Sequence, residues 1–372
     1  MRWLLAPDSF KGCLSASAVA QAMALGLGRA DAQAVCTMKP MADGGEGTLE
    51  VLSSSSGGVW RHFAAQDAEG RDIEAGCLFL ADGTAVIEVA RVIGLGMLGD
   101  SSIEQRSSFG VGQLMRACMD AGATRLALAL GGSATNDGGA GCLQALGVRL
   151  QDQQGQSLSG RPDELARLRR IERDGLDPRL GKLSLEIWSD VNLPLLGARG
   201  ASHVFAAQKG ASERQVQTLE GILTQWAKLA DRAWGQEVSK RAGGGAAGGL
   251  GYALQLLGGR LESGAQAVAR RIGLAEAIAR NDWVLTGEGR GDIQTLAGKA
   301  PSHVARLARS AHVPVSLVCG SVQGAADLNV LFDGCFSICA RPLHLSEAIA
   351  QAETLIAQTC EQLARALLAA RR

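Results

Sequence analysis

A net excess of either charge is missing from this 372-residue chain: Lys and Arg together number 37, Asp and Glu also number 37, and the formal net charge at pH 7 is zero. Without a basic field there is no long-range pull toward nucleic acid or an anionic membrane, so any bound anion must be met by local groups. Long apolar runs are missing as well, none approaching the roughly 20 residues that cross a bilayer. Met1–Asp8 is too short and too soon charged for a signal peptide. The expectation is a soluble cytoplasmic protein, with a small molecule rather than nucleic acid or membrane as its partner. The nine cysteines contain no CxxC pair, which suits reduced thiols in the cytosol. The closest pair, Cys335 and Cys339, reads as core on a buried strand.

The standard nucleotide signatures are also absent. No GxxxxGK[ST] occurs, since Gly298-Lys299-Ala300 lacks both the upstream glycine and the hydroxyl residue, which excludes a P-loop enzyme. The protein-kinase set is missing, and no GxGxxG follows the first apolar run, which disfavours a dinucleotide dehydrogenase. His62, His203, His303, His312 and His344 show no HExxH or other ligand spacing and read as surface or helix-packing residues.

What the chain does have is glycine, 49 residues of it, gathered where short apolar runs end. Gly131–Gly141, reading GGSATNDGGAG, follows the run Leu126–Leu130 and precedes the helical pattern from Cys142. A strand, a glycine-rich loop and a helix start can present backbone N–H groups and the positive helix end to an anion, with phosphate the leading choice. Ser133, Thr135, Asn136 and Asp137 add groups able to bond phosphate oxygens or carry magnesium. Two further loops pair glycines with carboxylates, Met41–Thr48 and Leu285–Asp292. Together they point to a nucleotide-using enzyme, whereas one glycine loop alone is an ordinary tight turn.

Apolar runs alternating with helical patterns indicate a parallel α/β architecture. Trp3–Ala6 and Val35–Met41 read as strands flanking a helix over Ser15–Ala30, capped by Ser15 or Ser17. Trp283–Thr286, Val313–Cys319 and Cys335–Ala340 read as three more buried strands, with helices over Pro301–Ala311 and Leu345–Ala370. Five strands from the two ends make one doubly wound sheet, and the middle of the chain becomes an inserted domain of mixed α/β character. In that insert an Asp82-Gly83 turn marks a hairpin between Cys77–Leu80 and Ala85–Val89, and a long helix is expected over Glu213–Trp234, with Trp226 and Trp234 as core residues. The expected division is 1–60 and 281–372 for the first domain and 61–280 for the insert, with an active site in the cleft between them. Ligands of open α/β sheets bind beyond the carboxyl ends of the strands, where the loops Asp8–Gly12, Asp43–Thr48 and Gly287–Asp292 lie.

Phosphoryl transfer needs a phosphate cradle, a carboxylate-held metal, a cation over the transferring group and a residue that orients the acceptor hydroxyl. Gly131, Gly132, Ser133, Thr135 and Asn136 are the candidate cradle. Asp43, Glu46, Asp137 and Asp190 are candidate metal ligands, and Lys11, Lys209 and Lys299 are candidate cations. A second glycine loop, Gly243–Gly249, is either another anion site or a close helix contact.

These segments resemble the bacterial type I glycerate kinases, the glycerate 2-kinase kind, over nearly the whole chain. The resemblance rests on Asp8-Ser9-Phe10-Lys11-Gly12, Pro40–Thr48, Gly131–Gly141, Phe205–Ala211, Gly245–Gly249, Gly287-Glu288-Gly289-Arg290, Gln294-Thr295 and Gly298-Lys299. It implies a two-domain fold whose first domain is flavodoxin-like, and ATP- and Mg2+-dependent phosphorylation of D-glycerate, favouring the 2-hydroxyl. In the mechanism it suggests, Asp8, Ser9, Lys11 and Arg290 bind substrate, and Asp190 or Asp292 serves the hydroxyl beside a catalytic Lys11. Asp43, Glu46 and Asp137 hold magnesium, while Lys299 offsets phosphate charge. Two segments depart from the family pattern: Asn192-Leu193-Pro194-Leu195 has leucine where asparagine is expected, and Ser108–Gly112 replaces a threonine-rich stretch. A kinase for another small hydroxy acid, or a non-catalytic nucleotide or sugar-acid sensor, are the alternatives.

Overall fold

In a computed structural model describing residues 1–370, the chain divides into two units, each with its own hydrophobic core. The first contains Met1–Asp43, Glu50–Ser56 and the described residues from Ala265 onward; the second contains Gly44–Leu49 and Gly57–Gly264. In chain order the strands are β1 (Arg2–Leu5), β2 (Val35–Met38), β3 (Val59–Gln66), β4 (Asp72–Phe79), β5 (Thr84–Glu88), β6 (Arg125–Ala129) and β7 (Arg149–Gln151). They continue with β8 (Arg170–Glu172), β9 (Ser184–Trp188), β10 (Arg260–Glu262), β11 (Trp283–Gly291), β12 (Val315–Val322) and β13 (Gly334–Ser337).

The first unit is a five-stranded parallel sheet in the order β13-β12-β11-β1-β2. Counted within this unit that is 2-1-3-4-5, the flavodoxin-like doubly wound order. Its central strands begin with apolar runs because helices cover both faces; Leu4, Leu5, Leu285, Leu317 and Val318 are fully buried. Helix Ala16–Ala30 starts where the Ser15 hydroxyl accepts the Ala18 N–H at 3.2 Å, a side-chain cap for a free backbone donor. It packs against helix Ala352–Ala370 so closely that a Cβ at Gly26 would collide with the Ala357 carbonyl.

Three details differ from the expectations. The long C-terminal helix is broken at Gln351 into Leu345–Ala350 and Ala352–Ala370. Strand β11 runs on to Gly291, so Gly287–Gly291 is not a loop: Gly287 pairs with Val318 and Gly291 with Val322. Gly287 permits this, since a Cβ there would strike the Val318 carbonyl. The return to the first unit falls at Ala265 rather than 281, because the helices Gly264–Arg271 and Leu274–Ala279, which lead into β11, go with the first unit from Ala265 onward.

The second unit is built on a six-stranded mixed sheet, β10-β9-β6-β5-β4-β3, antiparallel between β3, β4 and β5 and parallel elsewhere. The expected hairpin forms at Asp82-Gly83: Gly83 has φ of 82° and the Asp82 carboxylate accepts the Thr84 N–H at 3.0 Å. Helix Glu213–Trp234 has the expected bounds and opens with a capping box between Ser212 and Gln215. Trp226 is fully buried and donates its indole N–H to the Gly138 carbonyl at 3.1 Å. No helix among the described residues is long and apolar enough to cross a membrane.

Candidate active site

Beyond the carboxyl ends of the first unit's strands lies a cavity of about 550 Å³. Each strand delivers part of its wall: β1 leads into Asp8–Lys11, β2 into Asp43, β11 carries Glu288–Arg290, β12 carries Gly320-Ser321 and β13 leads to Ile338-Cys339. The loop after β1 is held at both ends. The Asp8 N–H donates to the Gly287 carbonyl at 2.8 Å, and Phe10 and Leu14 form a two-residue bridge around Gly12, whose φ is 71°. Asp8, Ser9, Lys11, Asp43, Arg290 and Lys299, all expected from the sequence, line this one cavity.

Its charged end is dominated by three carboxylates. Asp8 is buried and accepts the Ser9 N–H at 2.6 Å. Loss of solvent first, and the nearby Asp43 charge second, push its pKa up to about 7. Glu288 is buried and pairs through Oε2 with the Lys299 ammonium at 2.9 Å, while its Oε1 has no hydrogen-bond partner. Lys11 is largely exposed and lies 3.8 Å from the Asp43 carboxylate. Glu288 was not among the site residues expected from sequence; its signal was its place between two glycines at the end of a buried strand.

Arg290 and Asp292 are tied to each other. Arg290 Nε lies 3.1 Å from Asp292 Oδ2 and its Nη2 donates to Gln323 at 2.7 Å. Asp292 also caps the turn Ile293–Ala297, accepting the Gln294 N–H at 2.9 Å while its own N–H donates to Thr295. Both of its oxygens therefore have local partners. Cys339, expected in the core, is half-buried and opens onto the cavity, and Cys335 is half-buried on β13, the outermost strand of the sheet.

The glycine loop Gly131–Gly141 belongs to the second unit and is mostly interior. Ser133, Thr135, Asn136 and Asp137 are buried; only Gly131 and Gly132 reach the surface. Asp137 accepts four hydrogen bonds, from the N–H and hydroxyl of Ser108 and the N–H groups of Gly139 and Gly141, at 2.7 to 3.2 Å. Those bonds draw its pKa down while burial, the larger effect, raises it. It organises the loop, and Ser108, in the segment that departs from the family pattern, is its main partner. Lys209 is buried beneath the loop, donating to the Thr135 carbonyl at 2.7 Å and to Ser133 at 3.2 Å, with its own carbonyl receiving Arg106 at 2.7 Å. Desolvation lowers its pKa to about 7. The hydroxyl of Thr135 and the amide oxygen of Asn136 are buried without partners.

Gly243–Gly249 proves to be a close contact. Gly248 has φ of 65°, its carbonyl accepts the Gly138 N–H at 3.0 Å, and a Cβ there would overlap the Thr135 carbonyl. Asp190 and Glu46 also lie in the second unit. Asp190 accepts the Gly264 N–H at 3.1 Å. Glu46 sits near Glu88, a buried carboxylate that sequence reasoning did not single out; it receives the N–H groups of Gly47 and Leu49, and burial raises its pKa to about 7. No three carboxylate, histidine or cysteine side chains among the described residues gather closely enough to hold a metal by themselves.

Comparison with known proteins agrees over the full length. The sequence model of the glycerate kinase family matches residues 3–368. The chain is 38% identical over 375 residues to a glycerate kinase of Haemophilus influenzae, covering 99% of each chain. It is 38% identical to the glycerate 2-kinase of Escherichia coli, covering 99% of this chain and 98% of that one. The crystal structure of a putative glycerate kinase 2 from Salmonella typhimurium LT2 superposes with a TM-score of 0.86 at 37% identity, covering 100% of this chain and 99% of that one.

Proposed function

The chain belongs to the glycerate kinase family, and from that premise we propose that it is a cytoplasmic enzyme using ATP and Mg2+ to phosphorylate D-glycerate at the 2-hydroxyl. The observation that carries this reading is the gathering of Asp8, Lys11, Asp43, Glu288, Arg290 and Lys299 at one cavity on the carboxyl rim of a parallel sheet. Three cations there suit a carboxylate substrate and a polyphosphate, which need fixed charged partners once partly desolvated.

Lys11 and Arg290 hold the glycerate carboxylate. Asp8 faces the hydroxyl and takes its proton as the new O–P bond forms and ADP leaves. A base is most effective when its pKa lies near the working pH, and Asp8, at about 7, meets that condition. Asp8 takes this role in preference to Asp292, whose oxygens are engaged in capping and in the Arg290 pair. Lys299, at the start of helix Ala300–Ser310, meets the phosphoryl oxygens with the positive helix end behind it.

The residues fit a magnesium ion of the kind that keeps only one or two protein carboxylates and takes its other ligands from phosphate and water. Asp43 and the unpartnered Oε1 of Glu288 would hold it. When bound it would neutralise charge on the phosphate oxygens.

The test is ADP release from ATP with D-glycerate, L-glycerate, tartronate and hydroxypyruvate, with and without a magnesium chelator. Release restricted to D-glycerate and abolished by the chelator is expected. Saturable binding of any of these acids without ADP release would overturn the reading in favour of a sensor.

A further inference from the structure

The cavity is larger and more divided than glycerate requires. Pockets of roughly 300–1,000 Å³ suit drug-sized ligands, and this one measures about 550 Å³, far more than a three-carbon acid fills. Its lining holds the cations Lys11, Lys299 and Arg290 and also an apolar wall of Ile338, Leu343, Leu345 and Ile349. That apolar wall is unusual for a soluble protein, since Leu345 is 77% and Ile349 44% exposed. Both stand on the short helix Leu345–Ala350, which buries no residue of its own. Such clustered apolar exposure at a concave site marks a ligand surface.

We propose that this cavity holds the whole nucleotide, its base lying against Ile338, Leu343, Leu345 and Ile349 and its phosphates reaching Lys299 at the charged end. The inference rests on the ATP-dependent reading and adds to it where the base sits. A nucleoside triphosphate is the ligand class with this division of character: a flat, weakly hydrated base at one end and several negative charges at the other. Apolar side chains sequester the base, and the cations fix the phosphates. The glycine loop offers little comparable surface, because Ser133, Thr135 and Asn136 are buried.

The experiment is calorimetric titration of the intact enzyme with Mg-ADP, and separately with inorganic tripolyphosphate and D-glycerate, comparing the native chain with Leu345→Glu and Ile349→Glu. Both sites are solvent-accessible, so folding is retained, and a thermal melt verifies it. The proposal predicts that Mg-ADP affinity falls about tenfold or more in both variants, while tripolyphosphate and D-glycerate bind within about twofold of the native protein. Unchanged Mg-ADP affinity in both variants overturns the placement of the base even if the native enzyme is an active kinase. Absence of ATP-dependent turnover in the native enzyme overturns the underlying reading, and the placement with it.

Discussion

Asp8 concentrates the argument at the scale of single residues. Its identity and its motif are visible in the sequence, but its pKa is not, because it is raised first by burial in the fold and then by the charges of Asp43 and Glu288, which come from other strands. Asp8→Asn is expected to lower kcat by about 10²–10⁴-fold, the usual contribution of a positioned base, with the KM for D-glycerate changed only a few-fold. In the native enzyme the base must be deprotonated to act, so kcat/KM should rise with pH as Asp8, held above the usual carboxylate range by burial, loses its proton; this limb should vanish in the variant. A pH–rate profile of the two proteins checks both statements. Lys209 makes a different prediction, about stability. Its folded pKa is lowered to about 7 from 10.5, so between those values the unfolded chain binds more protons and stability should rise as pH increases. In Lys209→Met that rise should be smaller, measured by urea unfolding of both proteins at pH 7 and pH 9.

Among the elements, local rules carried most of the reading. Helix Glu213–Trp234 was legible to the residue, and in the structure Ser212 and Gln215 form its capping box while its apolar residues recur at helical spacing. The five strands of the first sheet were legible because each is a short apolar run. The end of β11 was not, since Gly287-Glu288-Gly289-Arg290-Gly291 has turn composition and extends only because β12 supplies hydrogen-bond partners through Val322. The break at Gln351 likewise has no strong signal in the sequence. Gly243–Gly249 had two readings, and long-range packing decided between them. Gly248→Ala is therefore expected to destabilise the protein by roughly 3 kcal/mol, combining an unfavourable positive φ with overlap on the Thr135 carbonyl. Chemical denaturation measures this, and a stability equal to the native chain's would contradict the contact.

For the molecule as a whole, the balance of 37 basic and 37 acidic residues leaves the recognition of any anion to local groups. The chain order of motifs then predicted the shared rim, because parallel strands deliver their following loops to one edge of the sheet. Asp8, Lys11, Asp43, Arg290 and Lys299 do line one cavity. Glu288 was not singled out, although it stands between two glycines, and the apolar wall had no signal, because only the fold shows that helix Leu345–Ala350 buries none of its residues. Asp137 shows the converse: a carboxylate in a glycine loop looks like a metal ligand, yet its four hydrogen bonds to Ser108, Gly139 and Gly141 can be found only in three dimensions.

The most direct test of the central claim is a phosphorus NMR time course of the intact enzyme with ATP, Mg2+ and D-glycerate. The account predicts that the γ-phosphate signal of ATP decays as ADP and a phosphomonoester appear together, the ester signal split into a doublet by the single hydrogen on carbon 2. A triplet would assign transfer to the 3-hydroxyl and contradict the proposed regiochemistry; ATP that persists unchanged with saturating D-glycerate would contradict the kinase itself.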